Sequence, residues 1–433
     1  MKNDTPFATY IYHQVGSEEN APVIVNTHKP LSNLVLITFY VLLFSGNHYM
    51  LVLTAKDYLR ELRVSRVYVG LLNSLTPLSG FFFGIVCAFW TNTSYKRPMI
   101  MSILSLIVGN LVFGLALVVR AHELLFLGRF LLGIGGSGII PKKYMTENLS
   151  MGNRTRWSAG LVMANAMGMA SGPFFIVFLQ FIDFRVFMFH LNYLYVPPAM
   201  WIVTFTGLLV VVVFLFEDPK HESSLYGGSS YPQNFSYLGV AVCAWMLVFS
   251  SGLQESFMSA TPVTTYFDFD WDLSTIGLVV ALLCVASLPA HFLTGSLAFK
   301  VSERSFILVS CILTIISTGM FFDLFTESET VFVLGAILMF LTTDVIEGAS
   351  NALLSVKIPK KLFRGYGSSG FASNQSILIG KVLGSLGVTL GSLRHLETAK
   401  FYLSISWCAL GVFSLIAVLS CYKGLADKRK KSK

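Results

Sequence analysis

Long apolar runs separated by short polar breaks dominate the chain. Windows of about 20 residues, the length that crosses a bilayer core, find twelve such runs. They lie near 31–55, 66–91, 98–119, 122–148, 155–182, 194–216, 236–266, 274–297, 304–326, 329–352, 363–393 and 399–422. The pattern predicts an all-α membrane protein with twelve transmembrane helices. The runs divide six and six around "EDPKHESSLYGGSSYPQNF", a polar Gly/Ser/Pro break. The expected organisation is a cytosolic tail (1–30), an N-terminal six-helix bundle (31–216), a cytosolic linker (217–235), a C-terminal six-helix bundle (236–422) and a basic cytosolic tail (423–433).

Composition supports lipid as the solvent. Of 433 residues, 54% are hydrophobic and 12% charged, Phe occurs 37 times and mean hydropathy is +0.67. A soluble domain is nearer a quarter charged. The first 30 residues are polar, with Glu18 and Glu19, and the first apolar run is too long for a cleaved signal. Cys87, Cys243, Cys284, Cys311, Cys408 and Cys421 all fall in spans without a CxxC pair, which predicts small hydrophobes rather than a disulfide framework or zinc site.

The net charge of +8 acts as a topology signal. With both termini in the cytosol, 19 of the 31 Lys and Arg fall on cytosolic segments, eight on the opposite face, and Arg129, Lys142, Lys143 and Lys381 inside spans. The positive-inside rule then sets the orientation, and no nucleic-acid partner is needed to explain the charge. No P-loop, HExxH or GxSxG motif appears, so an enzyme is not expected. Lone histidines such as His48 and His291 read as packed residues. No cofactor or metal is implied.

The halves echo each other. "LFLGRFLLG" (125–133) aligns with "FVLGAILMF" (332–340) at an offset of 207, and "CAFWTNTSYKRPM" (87–99) and "LAFKVSERSFI" (297–307) occupy equivalent loops. Paired six-helix repeats are a transporter architecture with the site between them. Gly84, Lys96 and Arg97 follow the second run, with Asn92 where an Asp is expected. Arg129, Gly133 and Gly135 form RxxxGxG, and Gly168, Gly172 and Pro173 form GxxxGP. In these motifs the chain resembles the major facilitator superfamily. "VLTAKDY", "TNTSYKRP", "GMASGP", "VTTYFDFDW" and "DVIEG" together resemble the membrane module of plant-type vacuolar phosphate transporters, which carry an SPX domain ahead of it. Thirty residues are too few for that domain, so sensing through it in cis is not expected.

Intramembrane polar residues are the candidate chemistry, because a lysine at the bilayer centre costs about 2.5–3.5 kcal/mol. "PKKYMTE" places Lys142, Lys143 and Tyr144 toward the cytosolic end of a continuous fourth helix. Snorkelling to headgroups is one reading, and an anion site with Tyr144 as donor is the other. Lys381, mid-span, and Asn47 and Tyr49 complete the expected substrate set. Arg129, Glu255, Asp344 and Glu347 form the expected proton-coupling or charge network. Asp344 and Glu347, three apart, share a helix face, with a fixed salt bridge as the alternative. Lys96, Arg97 and Glu147 are the expected cytosolic gate.

These residues, with the resemblance, imply a secondary transporter moving inorganic phosphate or a similar small anion by alternating access, with proton coupling expected. The alternatives are a sugar or other small-solute facilitator, since Pro141, Tyr144 and Glu147 match PxYxxE, an anion channel, and a non-transporting sensor or scaffold. Membrane lipid and a small anion are the expected partners, and a monomer the expected state. A vacuolar or lysosome-like membrane is the expected address. The terminal "KKSK" resembles a dilysine retrieval signal, which makes the endoplasmic reticulum the alternative.

Overall fold

The computed structural model describes residues 29–148, 151–186, 189–219, 237–297, 302–321, 328–358, 369–393, 396–422 and 425. Both tails and most of the linker fall outside the described residues. Among those described, thirteen α-helices follow one another: α1 Lys29–Glu61, α2 Val69–Trp90, α3 Lys96–Val119, α4 His122–Gly135, α5 Ile139–Asn148, α6 Met151–Leu179, α7 Val196–Leu215, α8 Tyr237–Asp268, α9 Leu273–Leu297, α10 Glu303–Phe321, α11 Glu329–Lys357, α12 Ser369–Ser392 and α13 Leu396–Ser420. Helices predominate because a helix satisfies its backbone internally, as hydrocarbon requires. Ten segments of the described residues are helical, long and apolar enough to cross a membrane. At the two remaining expected spans stand α9, with an apolar stretch over Leu273–Pro289 among the residues whose side chains are described, and α12, which carries Ser373, Asn374, Gln375 and Ser376 among its buried residues.

An element absent from the apolar pattern stands between α6 and α7. There β1 (Asp183–Val186) pairs antiparallel with β2 (Phe189–Asn192), Asp183 opposite Asn192.

The fourth span is broken, which corrects the continuous helix expected over 122–148. Helix α4 ends at Gly135 and α5 begins at Ile139. Gly138 adopts φ +66, a left-handed conformation open to glycine. A Cβ there would lie 2.6 Å from Asn374 Oδ1. The carbonyls released by the break find donors on other helices: Tyr40 OH donates to Gly135 O, and Asn374 Nδ2 to Ser137 O at 2.6 Å. Interrupted spans persist in lipid only where freed groups are satisfied in this way.

Helix α1 packs on α6 and α7, α3 on α4 and α7, and α2 on α4. On the other side α8 packs on α11, α12 and α13, and α10 on α11 and α13. A Cβ at Gly172 would come within 2.3 Å of Gly46 O, so the GxxxGP motif lets α6 and α1 approach backbone to backbone. The two sets meet mainly through α6 with α9, α2 with α12, and α1 with α8, and α12 also touches α5. At one end of the α1–α8 contact, Lys56 Nζ donates to Pro262 O at 2.7 Å and lies 4.7 Å from the Tyr266 ring centre.

Candidate functional site

Polar residues of α1, α5, α8, α11 and α12 meet where the two sets of helices face each other. Glu255 on α8 is fully buried. Its Oε2 accepts from Tyr49 OH at 3.2 Å, and its Oε1 lies 3.2 Å from His48 Nε2. From α12, Lys381 Nζ donates to Tyr49 OH at 2.8 Å and stands 3.7 Å from Glu255 Oε2. The Lys381 side chain keeps 20% exposure, so one face of this buried network is open. Asn47 is buried alongside on α1, and its Oδ1 has no hydrogen-bond partner among the described residues.

The helical break sets the position of Lys142. The half-buried ammonium lies in the electrostatic field of both Glu347 on α11 and Lys381 on α12. Glu347 also acts on Tyr49. Lys381, Tyr49 and Glu255 are therefore in contact, with Lys142 and Glu347 within electrostatic reach of them. Asp344, one turn before Glu347, accepts from Gln254 Nε2 at 2.7 Å, tying α11 to α8.

Lys143 and Tyr144 lie elsewhere. Lys143 is 1% exposed, and its Nζ donates to Ala88 O at 2.8 Å and to Asn92 Oδ1. The Asn in the Asp position of the loop motif is thus tied to the fourth span. Tyr144 OH accepts from Asn33 Nδ2 at 3.1 Å, and its ring meets Tyr95 and Phe216 edge-on at centroid distances of 5.2 and 6.2 Å. Both residues join α5 to α1, to α2 and to the residues that flank α3 and α7.

Arg129 is fully buried on α4 and donates to Asn73 Oδ1, while Asn73 Nδ2 donates to Ser259 Oγ at 3.2 Å. Its Nε and Nη1 have no hydrogen-bond partner among the described residues, and Glu255 supplies the nearby opposite charge. At the expected gate, Lys96 Nζ donates to Val213 O at 2.7 Å, and Arg97 is exposed. The Glu147 side chain lies outside the described residues. Asp218, a residue the sequence reading passed over, accepts from Tyr95 N at 2.7 Å, Lys96 N at 2.9 Å and Ser94 Oγ at 2.6 Å. It caps α3 from the segment after α7.

The sequence pattern of the Major Facilitator Superfamily matches residues 35–380, well over half the chain. The chain belongs to the Major Facilitator Superfamily. It is 25% identical to an SPX domain-containing membrane protein of Arabidopsis thaliana over 88% of this chain and 63% of that one. A rice (Oryza sativa subsp. japonica) SPX domain-containing membrane protein is 24% identical over the same shares. The chain thus spans about three fifths of the length of these curated relatives. The fold is similar to that of a solved bacterial homolog of the human lysosomal transporter Spinster, in an inward-facing, unoccupied conformation. The TM-score is 0.69 at 13% identity, covering 91% of this chain and 96% of that one. The human organic anion transporter MFSD10 (TETRAN) gives a TM-score of 0.63 at 14% identity, covering 89% and 98%.

Superfamily membership carries a transport role rather than an enzymatic one. Within it, the sequence reading missed His48, Asn73, Ser259 and Asn374. Each is an uncharged or weakly basic polar residue within an otherwise apolar run. That was the available signal, but nothing local distinguishes a residue that bridges helices from one that lines a site.

Proposed function

We propose that this superfamily member carries inorganic phosphate or a similar small oxyanion by alternating access. The observation that carries the reading is the partly exposed Lys381 ammonium of α12, which donates to Tyr49 OH at 2.8 Å with Lys142 of α5 within its electrostatic reach. An oxyanion is held best by charge-assisted donors, and Lys142, Lys381 and the Tyr49 hydroxyl provide them. Asn47 adds a polar contact. Glu255, Asp344 and Glu347 supply carboxylates for charge compensation and proton coupling. A buried Arg129 anchored on Asn73 contributes positive potential behind the site. Lys143 and Tyr144 then act through position, by holding α5 to its neighbours, and Lys96, Arg97 and Glu147 form the mouth at that end.

The reading includes twelve crossings in two six-helix halves, with both termini cytosolic, in a monomer of a vacuole- or lysosome-like membrane. The resemblance to plant-type vacuolar phosphate transporters supports phosphate over other anions.

The test is uptake into proteoliposomes of the full chain, with phosphate, sulfate and a hexose in competition. Phosphate uptake blocked by sulfate and indifferent to hexose is expected. Hexose uptake, or currents far above carrier turnover, would overturn it.

A further inference from the structure

The transport reading leaves a buried titratable side chain beside the candidate site without a task. His48 on α1 is 5% exposed, and its Nε2 faces Glu255 Oε1 at 3.2 Å. Its ring is stacked on Phe44 and edge-on to Tyr49, at centroid distances of 6.0 and 4.8 Å. Its Nδ1 is buried and has no hydrogen-bond partner among the described residues. A purely structural histidine in a membrane span normally has both ring nitrogens engaged. The open Nδ1 is the position where a proton can be added while the Nε2 contact to Glu255 is kept.

The surroundings couple this position to the anion site. The groups facing the imidazole are Glu255 from α8, Lys381 from α12, Arg129 from α4 and Tyr49 from its own helix. Lys381 belongs to both environments, 3.7 Å from Glu255 Oε2 and 2.8 Å from Tyr49 OH. His48 and Glu255 are separated by 207 residues, the same offset that relates the repeated segments 125–133 and 332–340. The pair therefore occupies equivalent positions in the two repeats, against the contact between α1 and α8 that must rearrange during transport.

We infer that His48 and Glu255 form the proton-binding pair of this transporter, and that proton and anion bind together, so that the protein is a proton–anion symporter. The inference rests on the anion reading above. An oxyanion engaged by Lys381 brings negative charge next to the pair and draws the ammonium's field away from Glu255. Both changes favour an added proton. The proton enters at Nδ1, giving an imidazolium whose Nε2–H donates to the Glu255 carboxylate, and no other bond changes. Two groups this close titrate as a unit. By linkage, the proton strengthens anion binding by the factor by which the anion strengthens proton binding. Both sites then fill or empty together, and the two species move in the same direction.

The experiment measures sulfate binding to the purified full chain in nanodiscs by calorimetry. Buffers of different ionisation enthalpy make the heat report proton uptake per anion. Sulfate keeps its charge across the range where histidine titrates, about pH 5–8. Inorganic phosphate serves as the second probe, with its own protonation heat subtracted. The parent is expected to take up a proton on binding the anion, with affinity rising about tenfold for each tenfold change the anion makes in proton binding. In His48→Gln the uptake is lost and the pH dependence flattens to within about twofold. Anion binding by the parent without proton uptake overturns symport, and needs no variant. Uptake that persists in folded His48→Gln, or that vanishes in Glu347→Gln while surviving in His48→Gln, overturns the assignment to His48. A parent that binds neither anion at any pH removes the anion reading, and this inference with it. That result is distinct from binding without protons.

Discussion

About 100° of helical rotation separates Lys142 from Lys143, and the two ammonium groups end in different surroundings. Lys142 is within the electrostatic reach of Glu347 and Lys381, while Lys143 is held by Ala88 O and Asn92 Oδ1. The same substitution should therefore fail differently at each. Lys142→Gln removes a charge-assisted contact to the anion and should weaken apparent affinity about ten- to a hundredfold. Its melting temperature should stay near that of the parent. Lys143→Gln leaves the buried Ala88 carbonyl short of a donor, a cost of about 1–3 kcal/mol. A lowered melting temperature, with affinity retained in the folded fraction, is the expected result. Binding calorimetry and thermal unfolding on the same samples separate the two outcomes.

The broken fourth span decides at the level of the element what the site can be. A continuous helix would carry Lys142 about 20 Å beyond Arg129 at 1.5 Å per residue, toward the headgroups. The turn at Gly136, Ser137 and Gly138 redirects α5, and Asn374 of α12 closes it by donating to Ser137 O. Gly138→Ala meets both an unfavourable φ of +66 and a Cβ contact of 2.6 Å to Asn374 Oδ1. It should cost about 1–2 kcal/mol from the backbone alone, measured by thermal unfolding, and should also lower transport by displacing Lys142.

At the opposite end of the molecule, Asp272 begins α9. Hydrogen bonds from the Ser274 and Thr275 hydroxyls and the Thr275 amide hold its carboxyl below the usual carboxylate range. The folded value is depressed, so the cap contributes above the ordinary carboxylate value of about 3.9 and is lost as pH falls through the folded value. Protection of the first-turn amides of α9, taken relative to intrinsic exchange at each pH, should fall in acid, and Asp272→Ala should show that loss of protection at neutral pH.

For the whole molecule, orientation links the charge pattern to the contacts. Asn92 begins an Asn-Thr-Ser sequon, is exposed on the α2–α3 turn, and lies on the face assigned to the cytosol. No glycan should form there, or at Asn234 outside the described residues. Glycosidase treatment followed by mass analysis checks this, and a glycan at either position reverses the orientation. At the other face Lys56 on Pro262 O, with Arg66 5.7 Å from the Tyr266 ring centre, draws α1 and the segment after it against α8. One end of the contact between the two sets of helices is thereby held shut by groups that the composition assigned only to a loop and a helix end.

Apolar length and charge bias were legible in the sequence because transfer into hydrocarbon is a local, nearly additive property of a window of residues. The positions of ten of the expected spans followed from it. So did the short list of intramembrane charges from which the candidate site is drawn. Partners were not legible, because a buried polar group is satisfied by whatever the packing brings to it. His48 meets Glu255 across 207 residues, Asn374 reaches Ser137 across 237, and Asp218 caps α3 across 123. The tertiary structure alone decided that the fourth span breaks, that Lys143 is tied to Ala88 and Asn92 while Lys142 is not, and that a histidine read as packing stands beside the central carboxylate. In each case the deciding term is the cost of an unsatisfied polar group in a medium without water, and that cost depends on atoms far away in the chain.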